Sequence, residues 1–135
     1  MVIVKASEVN SYISPHPHRR ELRVLLSPKI HHTSKLLGMG MVTIQPGECG
    51  NPHTHEGEQE TWFVISGEGK LIIGEEEVHL EPDMLIVAPA GVPHQIFNDG
   101  CDVLKALFIF SPAGPEEPHF LESVENAVSN DNKRV

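Results

Sequence analysis

Basic residues are scarce in this sequence. Ten lysines and arginines stand against nineteen aspartates and glutamates, and the formal net charge is −9. Between residues 48 and 102, Lys70 is the one basic residue among twelve acidic ones. A protein that binds nucleic acid normally presents a basic surface, so we expect no nucleic-acid partner. The negative middle of the chain favours cation binding, although it also keeps a small protein soluble.

Long apolar runs are missing as well. No stretch approaches the ~20 apolar residues of a membrane helix, and the N-terminal Met-Val-Ile-Val-Lys segment is too short and interrupted for a signal peptide. We therefore expect no membrane partner and a cytoplasmic protein. The two cysteines, Cys49 and Cys101, make no disulfide framework, and we expect both to be reduced thiols.

Turn residues and histidine, by contrast, are plentiful. Eleven glycines and eleven prolines in 135 residues indicate a chain with many turns, and this length fits one domain. Charged residues make up only 21%, which excludes a coiled coil. Nine histidines nearly equal the lysines and arginines in number. Because histidine is the commonest metal ligand and acid–base residue, their placement bears directly on function.

Short apolar runs separated by Gly, Pro, Asn and Asp predict a series of β-strands. Short strands at regular spacing are typical of an all-β sandwich or barrel. The run 74–77 predicts a tight hairpin between two of them. The predicted strands cover residues 22–26, 36–44, 60–65, 70–73, 77–80, 84–88, 94–98 and 103–110.

The two ends of the chain differ from its middle. Residues 5–20 are polar and predict an extended arm, and three prolines in 112–118 end the last strand. Leu121, Val124 and Val128 fall at helical spacing, and residues 129–135 are expected to fray. We divide the chain into an N-terminal arm with the first strand (1–35), a β-barrel core (36–111) and a C-terminal tail with a short helix (112–135).

Two stretches carry residues suited to metal chemistry. His53 and His55 share a face if their segment is extended, and Gly57 allows a turn that brings Glu60 back toward them. Two imidazoles and one carboxylate with open positions suit iron or manganese. After the Pro89-Ala90-Gly91 turn, His94 begins the next strand and could supply a third imidazole.

These two stretches resemble the two sequence motifs of the cupin superfamily. The second departs at its start, where the family usually has Gly then Asp and this chain has Asp83 then Met84. Asp tolerates a left-handed backbone better than most residues, so we expect the turn to form. The first motif matches at Gly47, His53, His55, Glu60 and Gly67, and the second at Pro89, Gly91, His94 and Asn98.

The resemblance implies a fold and a cofactor. Cupins are double-stranded β-helix, or jelly-roll, barrels of antiparallel strands with a metal at the centre. In this chain the implied ligands are His53, His55, Glu60 and His94. The implied cofactor is one divalent transition metal ion, and the donor set leaves Mn, Fe, Ni, Co and Zn open.

Strand alternation predicts what surrounds the site. If Glu60 points inward, Trp62 does too, and an outward Lys105 sends Phe108 and Phe110 inward. We expect an apolar pocket for a small molecule, with these three aromatic residues against the substrate. Two polar candidates join them: Arg23, which could bind a substrate carboxylate or else be solvated, and Gln59, which could orient a water or substrate oxygen.

The same alternation turns apolar residues outward. Phe63, Ile65, Leu107 and Ile109 would face away from the barrel and must be covered. The N-terminal arm could cover them, or a second copy of the chain could. Small cupins are commonly dimers, and we predict a homodimer.

The remaining histidines are expected to be ordinary. His31 and His32 are adjacent and would point in opposite directions on a strand, so their role stays open. Cys49 is expected to be a loop thiol without a metal role. His16, His18, His79 and His119 lie among polar or Pro-rich neighbours and are expected to be exposed.

Together these features favour a metal-dependent cupin enzyme acting on a small oxygen-rich organic molecule. No general base stands out beyond the metal ligands, which favours dioxygenase or decarboxylase chemistry over proton shuttling. The alternatives are a cupin isomerase or lyase, a non-catalytic cupin that binds a sugar or another small ligand, and a barrel whose metal only braces the fold.

Overall fold

The computed structural model describes the backbone of residues 1–132 and the side chains of residues 1–125. Within this part the chain forms nine strands, two α-helices and one 3₁₀ turn. The strands are β1 (Tyr12–Ile13), β2 (Glu21–Leu26), β3 (Gly38–Ile44), β4 (Gln59–Ser66), β5 (Gly69–Ile73), β6 (Glu76–Leu80), β7 (Leu85–Ala88), β8 (His94–Phe97) and β9 (Leu104–Ser111). The helices are α1 (Pro28–His31) and α2 (Glu117–Asn132), and the 3₁₀ turn is Ala6–Glu8.

The strands form two antiparallel sheets. One has six strands in the order β1-β2-β3-β9-β4-β7, and the other has three in the order β6-β5-β8. Strands that are distant in sequence, such as β3 and β9, pair along their full length. The predicted all-β jelly-roll class with a C-terminal helix is confirmed.

All eight predicted strands are present, with ends that differ by at most two residues. Three elements were not predicted: α1, which has only four residues, and two elements inside the predicted arm, the 3₁₀ turn and β1. β1 pairs with β2 through Tyr12 and Leu22, so the arm begins the six-stranded sheet. The predicted boundary at residue 35 lies between β2 and β3, which pair with each other in this sheet. The division of the chain at residue 35 stays a prediction.

The predicted alternation of side chains in β4 and β9 is confirmed. Trp62, Val64, Phe108 and Phe110 are buried in the core. On the opposite face, Phe63, Leu107 and Ile109 are half-buried and Ile65 is exposed. β1 and β7 lie at opposite edges of the six-stranded sheet. Hence the β1 segment of the arm does not cover the face beside β7.

Two tight turns set the spacing of the site strands. Gly67 has φ +80°, and a Cβ there would lie 2.2 Å from the carbonyl oxygen of Val103, so glycine is required. Asp83 has φ +69°, the left-handed conformation expected where the family has glycine. Its N–H donates to the carbonyl of Val64 at 2.9 Å, which joins this turn to β4.

Helix α2 begins at Glu117, after Pro112 and Pro115 and with Pro118 in its first turn, and it packs against β1 and β2. It is longer than the predicted short helix, because its backbone stays helical through Asn132. The predicted contribution of the Val128 side chain lies outside the described residues, as do residues 133–135 of the predicted frayed end. Within the described residues, no helix is long and apolar enough to cross a membrane.

Candidate metal centre

Four side chains from three segments meet inside the barrel: His53, His55, Glu60 and His94, here called the histidine–glutamate cluster. Their ligand atoms all lie within 4.8 Å of one another. The nearer Glu60 oxygen, Oε2, is 3.8 Å from Nε2 of His53, 3.2 Å from Nε2 of His55 and 2.8 Å from Nε2 of His94. Glu60 and His94 are only 5% and 4% exposed.

Backbone pairing brings the two motif segments together. The N–H of His53 donates to the carbonyl of His94 at 3.1 Å, and the N–H of His94 donates to the carbonyl of His53 at 2.9 Å. This isolated bridge joins the segment before β4 to the first residue of β8. Glu60 reaches the same point from β4, where alternation with Trp62 turns it inward.

Hydrogen bonds on the outer ring nitrogens orient two of the imidazoles. Nδ1 of His53 lies 2.8 Å from the carbonyl oxygen of Asn51, and Nδ1 of His94 lies 3.1 Å from that of Val92. Because a carbonyl only accepts, each Nδ1 carries the proton and each Nε2 presents a lone pair. The Nε2 atoms of His53 and His94 face each other at 3.2 Å.

The carboxylate of Glu60 completes this arrangement. Glu60 Oε2 and His55 Nε2 are buried without hydrogen-bond partners. Lone pairs that converge without donors repel one another unless a cation lies between them. The cluster therefore fits a divalent transition metal, which mixed imidazole and carboxylate donors suit.

The cluster lies in the wall of a cavity of about 290 Å³. Small-molecule sites commonly combine apolar walls with a few polar groups, and this cavity does so. Its apolar walls are Leu22, Val42, Trp62, Ile96, Phe108 and Phe110, and its polar groups outside the cluster are Arg20, Asn51, Thr54 and His119.

The structure brings three of the five predicted substrate residues to this cavity. Trp62, Phe108 and Phe110 all line it. The ring centroid of Trp62 is 5.0 Å from that of His94, and the centroid of Phe110 is 5.0 Å from that of His55. The aromatic wall therefore contacts the candidate metal ligands directly.

The other two candidates, Arg23 and Gln59, lie outside the cavity lining, and for Arg23 this is the outward alternative left open from the sequence. Arg23 alternates with the buried Leu22, so it faces the outer side of β2, where it pairs with Glu21. Gln59 directly precedes Glu60 and is exposed for the same reason. Strand alternation thus excludes both positions from the inward face.

Arg20, Asn51 and His119 were not identified as cavity residues from the sequence. Arg20 lies two residues before Leu22, so the alternation rule could have placed it inward. Its Nη1 donates to Oδ1 of Asn51 at 2.6 Å. Burial lowers the pKa of Arg20, and the charge of Glu60 opposes that shift.

The prediction that His119 is exposed is wrong. His119 is half-buried, lines the cavity and stacks on Tyr12 at a centroid distance of 6.5 Å. Burial and the Arg20 charge lower the pKa of His119, while Glu122 raises it. A net lowered pKa keeps this imidazole neutral at pH 7. Its position depends on α2 packing across β1 and β2, which local sequence does not reveal.

The remaining candidates lie elsewhere. Nδ1 of His31 accepts the N–H of Ser27 at 3.0 Å, and His32 follows α1 with φ +54°. Cys49 is half-buried, with Sγ 4.0 Å from the carbonyl oxygen of Pro17. These residues are absent from the lining of the described cavity.

Comparisons with known proteins agree with this geometry. An uncharacterised protein of Streptomyces coelicolor is 28% identical over 76 residues, 56% of this chain and 70% of that protein. An oxalate-binding protein of Thermotoga maritima is 28% identical over 89 residues, 66% of this chain and 73% of that protein. The crystal structure of a predicted oxalate decarboxylase from Thermotoga maritima superposes with a TM-score of 0.75 at 24% identity, over 83% of this chain and 100% of the other.

The family assignment rests on the motif region itself. The sequence-family model described as "Cupin domain" matches residues 40–110. This range includes both motifs and every member of the histidine–glutamate cluster. This match covers more than half of the 135 residues, and the sheets around it form the double-stranded β-helix. The chain belongs to the cupin superfamily.

Proposed function

We propose that the protein is a metal-dependent cupin enzyme that acts on a small oxygen-rich organic molecule by decarboxylase or dioxygenase chemistry. The observation that carries this proposal is the histidine–glutamate cluster, whose lone pairs converge without hydrogen-bond donors in a cavity wall. The cluster would hold one divalent ion (Mn, Fe, Ni, Co or Zn). Such an ion, when bound, polarises a substrate oxygen or brings dioxygen and substrate together.

In this proposal, residues of the chain orient the metal ligands and shape the cavity around the substrate. The backbone carbonyls that hold His53 and His94 preserve the tautomer that presents Nε2 inward. Trp62, Phe108 and Phe110 give the cavity an apolar wall, which would limit the water around a bound substrate. A dry, shaped site strengthens every polar interaction within it.

Of the two proposed reaction types, decarboxylation and dioxygenation, the names of the relatives favour decarboxylation. One is an oxalate-binding protein and another a predicted oxalate decarboxylase, and both names point to a small acid that chelates through oxygen. His119 supplies a neutral imidazole on the cavity wall. In a decarboxylation, the carbon that loses carbon dioxide must take up a proton, and we assign the imidazole of His119 to pass this proton from solvent water to that carbon.

The position of His119 on the cavity wall also favours a second candidate, a cupin isomerase or lyase. Such reactions need a base that removes a proton from the substrate, and the sequence offered none beyond the metal ligands. His119 meets this need, because a lowered pKa leaves it unprotonated near pH 7. The two candidates differ in their products, so the assay separates them.

The first experiment is elemental analysis of protein purified without chelators or an affinity tag, repeated under anaerobic conditions. We expect about one transition metal ion per chain. Iron would favour dioxygenase chemistry, and manganese would favour decarboxylation or isomerisation. A metal content that stays below about one-tenth of an ion per chain, even after reloading, would contradict the enzyme proposal.

The second experiment is a product assay with the loaded protein. Small dicarboxylic acids and sugar phosphates are incubated with it, and carbon dioxide release, oxygen uptake and isomer formation are measured together. Carbon dioxide release without oxygen uptake supports a decarboxylase. Tight ligand binding without any product would instead support the non-catalytic small-ligand or sugar-binding alternative.

We also propose that the protein is a homodimer whose partner covers the outer face beside β7. Across four strands this face presents a row of apolar side chains, Leu85, Phe63, Leu107 and Met41. Leu85 is 62% exposed, and contiguous apolar surface of this kind marks an interface. A reducing, cytoplasmic setting is part of the proposal, because Cys49 and Cys101 are free thiols.

A further inference from the structure

Arg20 is a cation in the cavity wall without a close acidic partner. It lies one residue before β2, on the same face as the buried Leu22, and it lines the cavity. Within the described chain its guanidinium has no carboxylate at salt-bridge distance, and its side-chain hydrogen bond is to Asn51 Oδ1 at 2.6 Å. Because a guanidinium carries five N–H donors, donors remain for another acceptor.

Three features position Arg20: a side-chain hydrogen bond, the space left by a glycine, and a backbone hydrogen bond. Asn51 accepts from Arg20 through its side chain and from His53 through its backbone carbonyl, so it links the cation to the histidine–glutamate cluster. A Cβ at Gly50 would lie 2.7 Å from Nη1 of Arg20, so glycine leaves room for the guanidinium. The backbone N–H of Arg20 donates to the hydroxyl of Ser14 at 3.0 Å.

The charges of the cavity favour an anionic ligand. Glu60 is the one acidic residue in its lining, and it belongs to the histidine–glutamate cluster. A divalent ion held by one carboxylate and three neutral imidazoles would leave one net positive charge, and Arg20 would add a second. With the ion bound, the cavity would be positive within a chain of net charge −9, and an anion would balance it.

We propose that Arg20 is the carboxylate-binding residue of this cavity, and that the substrate is a small carboxylic acid with a second oxygen-bearing group directed at the histidine–glutamate cluster. The inference rests on the proposed function. A carboxylate matches the planar guanidinium and accepts two parallel N–H bonds from it. A cavity of about 290 Å³ is at the small end of ligand sites, which suits a small acid.

The test uses the full chain in Mn²⁺-loaded and chelator-treated forms. Malonate is the charged probe and malonamide is its uncharged counterpart of similar size. Calorimetry gives Kd, and the fluorescence of Trp62, the one tryptophan of the chain, reports binding inside the cavity. We expect the loaded protein to bind malonate at least about tenfold more tightly than malonamide.

Two variants change Arg20 in different ways. Arg20→Met keeps a long side chain and removes the charge, so the Kd for malonate should rise about tenfold to a hundredfold, since hydrogen bonds to charged groups are involved. Gly50→Ala keeps the charge but displaces the guanidinium, and its effect should be intermediate. Arg19→Met is the matched control, because Arg19 is exposed, and its Kd should stay within about twofold of wild type.

Metal content measured on the same samples separates this inference from the proposed function. If the wild-type chain takes up no metal, the proposed function fails. Malonate binding to the metal-free chain that is weakened by Arg20→Met and not by Arg19→Met would still support Arg20 as the carboxylate site. Wild-type malonate affinity in Arg20→Met would overturn the inference. So would an equal loss in Arg19→Met, a loss of metal in Arg20→Met, or no malonate binding to either form of the wild type.

Discussion

His53 and His94 hydrogen-bond to each other through their backbones in both directions, at N···O distances of 3.1 and 2.9 Å. The two residues are 41 positions apart in sequence. The positions of His53 and His94 are therefore fixed by backbone hydrogen bonds, before any ion contributes. This arrangement is what a catalytic metal site requires, because the ligands keep their geometry while substrate exchanges.

The first prediction concerns metal binding. His94→Gln removes one ligand of the cluster, and metal content should fall from about one ion to below about one-tenth per chain. Elemental analysis measures the content, and quenching of Trp62 fluorescence by Co²⁺ gives a second readout, because its ring lies 5.0 Å from that of His94. The matched control is His79→Gln, since His79 is exposed and outside the cluster. Equal metal content in the two variants would contradict the site.

The backbone bridge also predicts that the fold persists without metal. Circular dichroism of chelator-treated protein should keep the β-sheet spectrum, and thermal unfolding should stay cooperative with a lower midpoint. The lower midpoint follows because an ion that binds only the folded chain stabilises it. Complete unfolding on metal removal would favour the alternative in which the metal only braces the barrel.

The second prediction concerns the attachment of α2. Glu116 is 1% exposed and accepts the hydroxyl of Ser27 at 2.9 Å and the N–H of Gly114 at 2.7 Å. Glu116→Ala leaves both donors unpaired, so the free energy of unfolding should fall by about 1–3 kcal/mol. Urea denaturation measures this change. Glu117→Ala is the control: Glu117 pairs with the exposed Lys29, and its loss should cost less than about 1 kcal/mol.

The third prediction concerns pH. Burial lowers the pKa of His119 below 6.5, so the unfolded chain binds this proton more readily than the folded one. The stability that neutral His119 contributes is therefore present above pH 6.5 and is lost as the pH falls below that value. The charged or titratable groups that act on His119 are Arg20, Glu122 and Glu60, and Tyr12 stacks on it.

His119→Gln tests this dependence. Urea denaturation at pH 7.5 and 5.5 should show a smaller loss of stability on acidification in the variant than in the wild type. His79→Gln serves as the control, because its side chain is exposed, and it should follow the wild-type curve. A His119→Gln curve that also follows the wild type would exclude a role for His119 in acid sensitivity.

The fourth prediction concerns assembly. Light scattering at micromolar concentration should give about twice the chain mass of 14.9 kDa. Leu85→Glu places a charge in the apolar row beside β7 and should give a monomer, because burying an unpaired charge in an interface is costly. Val124→Glu, on the exposed face of α2, should leave the mass unchanged. A monomeric wild type would rule out the homodimer.

Local sequence predicted the strands because they depend on short-range rules, whereas the resemblance to the two cupin motifs implied the full cluster. Alternation in β4 and β9 places Trp62, Phe108 and Phe110 inward, and it needs only the pleat of a strand. The left-handed conformation of Asp83 follows from the tolerance of that residue type. The same rule of alternation, applied two residues further back from Leu22, would have selected Arg20 instead of Arg23.

The sequence by itself determined the family, the strand order along the chain and the four members of the histidine–glutamate cluster. Only the tertiary structure decided which other polar groups share their cavity. Arg20 reaches it because β1 pairs with β2 and aligns that edge of the barrel, and His119 reaches it because α2 packs across both strands. The contacts of α2 with β1 and β2 join segments about a hundred residues apart in the chain. Their formation depends on the burial of α2 against the folded barrel, which no local pattern of residues encodes.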